Sequence, residues 1–206
     1  QRLRVLFRLA HLLKKEKIDI IHCHHPFTRI WGRIAGLLAG VKVIIVHVHG
    51  LFEITSRYVV FKERFLSLFT TKIIAVSSFI KNHLVVRTGL NARKVEVVYN
   101  GVDLKLFKPP EEKGKLYDRP VTIASITRLY WTKGFKYLLE AFSSVLEKFP
   151  DTTLLIIGEG PIKSELRKYI GERRLHGRVK LCGECMNISE ILASIDIYAQ
   201  ASLFEG

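Results

Sequence analysis

With 206 residues, 48% of them apolar, the chain can bury a sizeable core and fill one large or two small domains. A formal net charge of +14 argues for an anionic partner, and no apolar run reaches the roughly eighteen residues needed to cross a bilayer. Three cysteines, Cys23, Cys182 and Cys185, are too few for a disulfide scaffold, so a reducing cytoplasm is the expected setting.

The charge is uneven. Residues 1–107 carry 18 Lys and Arg against 6 Asp and Glu, whereas residues 108–206 carry 15 against 13. The basic surface therefore belongs to the first half, where nucleic acid, an anionic membrane surface or a phosphate-bearing acceptor are the partners to consider. The single Met is Met186, the sequence opens in mid-helix and it stops at Phe204-Glu205-Gly206, which reads as a fragment of a longer chain.

In chain order, residues 1–17 form an amphipathic basic helix with Leu3, Leu6, Phe7, Ala10 and Leu13 on one face and Arg4, Arg8, His11 and Lys15 opposite. Residues 18–22 read as a buried strand. It runs into Cys23-His24-His25-Pro26, where His22 and His24 share a side of the strand by alternation. No carboxylate or further Cys joins them nearby, so a polar strand end at a cleft is expected and a metal is not.

A Gly-containing helix follows over Arg29 to Gly40, then a β-branched strand over Val41 to Val48 that should be buried on both faces. It ends at His49-Gly50. A His at the carboxyl end of a parallel strand, followed by a Gly, lies where open α/β sheets place ligands, and His49 is the first candidate to touch substrate.

Helices over 57–69 and 78–88 alternate with strands over 72–77 and 95–99, Ser77 or Ser78 capping the second helix. Such alternation predicts a parallel sheet. Asn100-Gly101-Val102-Asp103 is a turn, residues 105–119 have linker composition, and a boundary is placed between 107 and 108.

The second half alternates in the same way, with strands over 121–126, 153–157, 179–182 and 196–200 and helices over 134–149, 162–174 and 188–194. Arg128 and Lys133 lie on the loop between the first strand and the first helix. A guanidinium, an ammonium and the free N–H groups of a helix start make a diphosphate site. Gly158 and Gly160 open the next helix and could bring backbone N–H groups to a phosphate or sugar, but they lack the third Gly of the dinucleotide fingerprint. Glu205 ends the last loop, so three strand ends send Arg128/Lys133, Gly158/Gly160 and Glu205 towards one sheet edge. Cys182-Gly183-Glu184-Cys185 is a C-x-x-C without the second pair that a zinc site needs.

The order of D-I-I-H-x-H (19–24), V-H-G (48–50), A-V-S (75–77), N-G-V-D (100–103), R-x4-K-G (128–134), L-L-E-A-F (138–142), G-x-G-P (158–161) and S-L-x-E-G (202–206) resembles the retaining glycosyltransferases of family 4, or glycosyl transferases group 1, over essentially the whole chain. The resemblance implies the GT-B fold: two Rossmann-like parallel-sheet domains, an acceptor-side one over 1–107 lacking its first strand and a nucleotide-sugar-binding one over 108–206 lacking its C-terminal part. It implies that Arg128 and Lys133 bind the donor diphosphate, that Gly158 and Gly160 lie in a donor-side loop, and that His49 reaches the donor sugar. Glu205 would match the first Glu of E-x7-E and hold sugar hydroxyls. His24, Ser77 and Asn100 are the acceptor-side candidates. Ala201 stands where the family often has Pro.

The reaction implied is transfer of a sugar from a nucleotide sugar to a saccharide or lipid-linked acceptor, with retention. The sequence contains no D-x-D, the pattern that holds a metal on many donor diphosphates, and the two cations can stabilise the leaving group instead, so no metal or other cofactor is expected. The basic first half points to an anionic acceptor and to peripheral contact with an anionic membrane, as in glycolipid or polysaccharide synthesis. The alternatives are a non-catalytic or phosphorylase-like member of the fold and a nucleic-acid-binding protein. The last is disfavoured because no basic-aromatic platform or recognition motif is present.

Overall fold

A computed structural model describes residues 2–50, 56–108 and 120–205, so most of the expected linker over 105–119 lies outside the described residues. They form two compact units, Gln1–Gly101 and Val102–Glu205, each an α/β unit with a parallel four-stranded sheet.

In the first unit α1 (Arg2–Lys15), β1 (Ile20–Cys23), α2 (Pro26–Ala39), β2 (Val43–Val48), α3 (Arg57–Ser67), β3 (Lys72–Ala75), α4 (Ser78–Asn82) and β4 (Val95–Val97) alternate as expected. The strands lie in the order β1-β2-β3-β4. The core gathers Val46, Val48, Ile73, Ala75, Ile80 and Leu84, and a second cluster of Leu6, Ala10, Leu13, Ala35 and Ile44 lies under α1 and α2.

Several boundaries differ from the expectation for local reasons. The second helix starts at Pro26 rather than Arg29: proline suits a first helical position, and His25 caps it by accepting from Phe27 N while Thr28 Oγ1 accepts from His25 N. It ends on Gly40, in the left-handed region at φ 74°, and Gly36 is interior, closed in by Ile21 and Ile44. After α4 the chain widens into a π-helical turn over His83–Arg87.

The face of α1 is narrower than its pattern: Leu6, Ala10 and Leu13 are buried, while Leu3 and Phe7 are exposed. Strand β2 is not buried on both faces. Ile44, Val46 and Val48 are buried, while Val43, Ile45 and His47 are half-buried on the other face.

Beneath β1 and β2 the helices are tied by buried charge. Arg33, fully buried, donates to Glu63 Oε2 from Nη2 at 2.7 Å, and Arg29 Nη2 lies 3.7 Å from the other oxygen. Burial pushes the Arg33 pKa down and the Glu63 carboxylate opposes that shift. Lys94 closes the end of α3 by donating to the carbonyls of Ser67, Leu68 and Thr70 at 2.8–3.1 Å.

In the second unit β5 (Thr122–Ile126), α5 (Phe135–Lys148), β6 (Thr153–Ile157), α6 (Lys163–Glu172), β7 (Val179–Gly183), α7 (Ile188–Ser194) and β8 (Ile197–Tyr198) alternate likewise. The sheet order is β7-β6-β5-β8, all parallel, so the direction of strand addition reverses at β5. Its core contains Leu129, Phe135, Leu139, Phe142, Leu154, Ile156, Leu166 and Ile170. The last strand is two residues long rather than five. Among the described residues no helix is long and apolar enough to cross a membrane.

Candidate functional site

In an open parallel sheet a ligand crevice forms beyond the carboxyl ends of the strands where the order reverses. In the second unit that point lies between β5 and β8. The connection after β5 carries Arg128 and Lys133, and the connection after β8 carries Glu205, so the reversal puts these loops at one edge.

Backbone contacts fix them there. Thr127 N donates to Ile157 O at 3.0 Å and Leu129 N to Glu159 O at 2.8 Å, seating the Arg128 loop on the segment after β6. Leu203 N donates to Thr132 O at 2.8 Å, seating the loop after β8 on the 3-10 turn Trp131–Lys133.

Glycine is required at these crossings. At Gly158, φ +137°, a Cβ would lie closer than 3 Å to Thr127 O. One at Gly160 would do the same to Leu129 O, and one at Gly134, φ +65°, to Ala201 O. The G-x-G pair thus serves first to let one loop run against another.

The polar groups of this edge form a chain. Lys133 Nζ donates to Glu205 Oε1 at 2.6 Å, and Gln200 Nε2 donates to the same oxygen at 2.7 Å. The Tyr198 hydroxyl donates to Gln200 Oε1. Burial pushes the Glu205 carboxyl up, but the hydrogen bonds from Lys133, Ser202 and Gln200 and the Lys133 charge outweigh it, and its pKa ends below the ordinary value. Arg128 is exposed, with its guanidinium 5.5 Å from the Tyr130 ring centre. Neither α5 nor α6 has a side-chain N-cap, and at the start of α6 Lys163 N donates to Gly160 O at 3.2 Å, which leaves α5 as the helix start an anion could meet.

The first unit has a different edge. Its strand ends bring together His22, His24, His47 and His49, all on one face by the alternation of β1 and β2. The His22 and His47 rings stack at 5.4 Å with 3° between planes, and the His47 and His49 centres are 4.3 Å apart. His24 Nδ1 and His49 Nε2 share a hydrogen bond at 3.0 Å.

Both ring nitrogens of His47 are buried without a hydrogen-bond partner among the described residues. Burial, then the neighbouring His49, His24 and His22, pushes its pKa down to about 4. Burial and the charges of His24 and His49 lower that of His22.

One ligand nitrogen from each of His22, His24 and His47 lies within 4.8 Å of the others. The third imidazole comes from the neighbouring strand, so the pattern of β1 alone does not show it. Alternation in both strands, with their parallel register, was the signal.

Of the other candidates, Ser77 caps α4 by accepting from Ile80 N at 3.2 Å, and Asn100 is exposed beyond β4. Cys182 and Cys185 are free thiols, Cys182 exposed and its pKa pushed up by burial of the sulfur and then by Cys185.

Family comparison agrees over both units. The model of Glycosyltransferase Family 4 matches residues 1–106 and that of Glycosyl transferases group 1 matches residues 108–206. A UDP-Gal:alpha-D-GlcNAc-diphosphoundecaprenol alpha-1,3-galactosyltransferase of Escherichia coli is 34% identical over 220 aligned positions, 99% of this chain and 57% of that protein. A phosphatidylinositol N-acetylglucosaminyltransferase subunit of Homo sapiens is 29% identical over 96% of this chain and 41% of its own length. Among solved structures, Anabaena Alr3699/HepE in complex with UDP superposes with a TM-score of 0.81 at 22% identity, over 97% of this chain and 57% of that one. The chain spans about half the length of the relatives it matches.

Proposed function

The chain belongs to the glycosyltransferases of Family 4, with the fold of the GT-B enzymes, and from that premise we propose that its parent protein transfers a sugar from a nucleotide diphosphate sugar to a lipid-linked acceptor. The observation that carries this reading is the seating of Arg128 and Lys133 on the β5 connection, at the strand-order reversal and beside an α5 start without a side-chain cap.

Transfer breaks the bond between sugar C1 and a diphosphate oxygen, whose electron pair leaves on the diphosphate, while an acceptor hydroxyl oxygen forms the new bond to C1 and gives up its proton to the departing phosphate. The Arg128 and Lys133 charges and the uncapped start of α5 would oppose that growing charge. Lys133 pairs with Glu205, so an incoming diphosphate would share or exchange that partner. In the same reading Glu205 accepts from sugar hydroxyls and Gly158 and Gly160 shape the donor loop.

Retention and metal independence are part of the proposal. Family resemblance supports the first, and cations standing where a metal would otherwise be needed support the second. A uridine nucleotide is favoured as the donor half because the Escherichia coli relative is named for UDP-Gal and the Anabaena neighbour holds UDP. The two sequence relatives are named for lipid substrates that carry phosphate, which suits the excess of Lys and Arg in residues 1–107. Peripheral contact with an anionic membrane would follow from the same charge.

The test incubates the complete enzyme with UDP-sugars and a lipid-diphosphate saccharide, with and without EDTA, and follows the product by mass spectrometry and its anomeric signal by NMR. One UDP-sugar should be consumed, equally in EDTA, with the donor's anomeric configuration kept. Consumption of none of them, or an absolute need for a divalent ion, would remove the reading.

A further inference from the structure

The second unit's polar edge is absorbed by the donor reading, but the first unit's imidazole array is not. We propose that His22, His24 and His47 form a binding site for a divalent transition-metal ion of the zinc, cobalt or nickel type, a site independent of the donor-diphosphate assignment.

Four observations carry it. The first is convergence. Alternation sends His22 and His24 to one face of β1, the parallel register pairs His22 with Ile45 and Cys23 with Val46, and His47 therefore stands beside His24 on the same face. One nitrogen from each ring already lies within 4.8 Å of the others. Tetrahedral zinc with bonds of about 2.0–2.1 Å sets its ligand atoms roughly 3.4 Å apart, so closure needs ring rotations and no strand movement. His22 and His24 are both exposed, and His24 can turn about the nitrogen that His49 holds.

The second observation is the bare imidazole of His47. A buried histidine held only for structure would donate one ring N–H and accept at the other, whereas here both nitrogens are buried without a partner among the described residues. An ion on the shared face would engage one of them.

The third is ligand type. No carboxylate belongs to the group, so neither magnesium nor calcium, which want several oxygens, fits it. Neutral imidazoles suit zinc and its neighbours.

The fourth is the hydrogen bond from the ligand set outward. His24 Nδ1 is engaged with His49 Nε2 at 3.0 Å, which leaves His24 Nε2 for the ion. A partner on the far nitrogen is what orients a metal-bound imidazole and fixes its tautomer.

The test strips the purified protein with a chelator and titrates it with Zn2+ against a chromophoric chelator, with Mg2+ in parallel. Co2+ is then added in place of Zn2+ to read the visible bands of tetrahedral cobalt. One equivalent of Zn2+ should bind, Mg2+ should not compete, and His22→Ala and His24→Ala should each weaken Zn2+ binding by roughly tenfold or more. Both residues are exposed, so their thermal midpoints should match the parent's, which separates lost ligation from lost folding. His11→Ala and the double variant Cys182→Ser/Cys185→Ser should bind as the parent does. No Zn2+ bound by the parent, binding unchanged in both His22→Ala and His24→Ala, or binding that disappears with the cysteines would overturn the site.

Discussion

The two units are alike in layout and unlike at their carboxyl edges. The first adds its strands in sequence and ends them in imidazoles, and the buried Arg29, Arg33 and Glu63 tie its helices α2 and α3 together. The second reverses direction at β5 and ends its strands in fixed cations, on loops locked by glycine crossings. One scaffold can therefore carry two chemistries, with strand order deciding where a crevice opens and the loops deciding what it holds.

If buried charge ties α2 to α3 in the first unit, Glu63→Ala should be the most damaging change, because it leaves two guanidiniums in the core without their carboxylate. The expected loss is about 3–5 kcal/mol of unfolding free energy in urea denaturation. A loss within experimental error would mean that the helices hold without the pair. At the other edge, Arg128→Ala or Lys133→Ala should lower kcat of the complete enzyme roughly a hundred- to a thousandfold, equivalent to about 2.7–4 kcal/mol of barrier, with thermal stability kept.

Gly160→Ala sharpens the contrast in backbone support. Its Cβ would clash with the Leu129 carbonyl and push the Arg128 loop away from residue 160, which should cost about 1–3 kcal/mol by denaturation and weaken nucleotide binding as well. The smallest effect is expected at Lys72 and Glu96, an ion pair on β3 and β4 with both side chains about half exposed. Lys72→Ala should change stability by less than about 1 kcal/mol, and a larger loss would show that the first unit also relies on its surface charges.

Much of this was legible before any coordinates. Periodicity located the alternating strands and helices, and the order of short motifs identified the family, because both are local signals. Contacts that depend on register or on distant partners were not. Nothing near Arg33 marks Glu63, thirty residues on, as its partner, and the third histidine of the cluster needed the β1–β2 register before it could be placed. The β2 pattern suggested burial on both faces, yet β-branched residues tolerate a half-open face, and Val43 and Ile45 stand on one. That Gly158 and Gly160 also run against Thr127 and Leu129 of the neighbouring loop was not legible, since a sequence shows that a backbone must come close without showing to what.

Donor binding depends most directly on the β5 connection. Calorimetric titration of the protein with UDP, repeated for Arg128→Ala, Lys133→Ala and the control Lys72→Ala, reads that claim without the acceptor. The expected result is affinity lost by tenfold or more in the first two variants, about 1.4 kcal/mol each, and unchanged in the third. UDP binding equally well to all four proteins would contradict it.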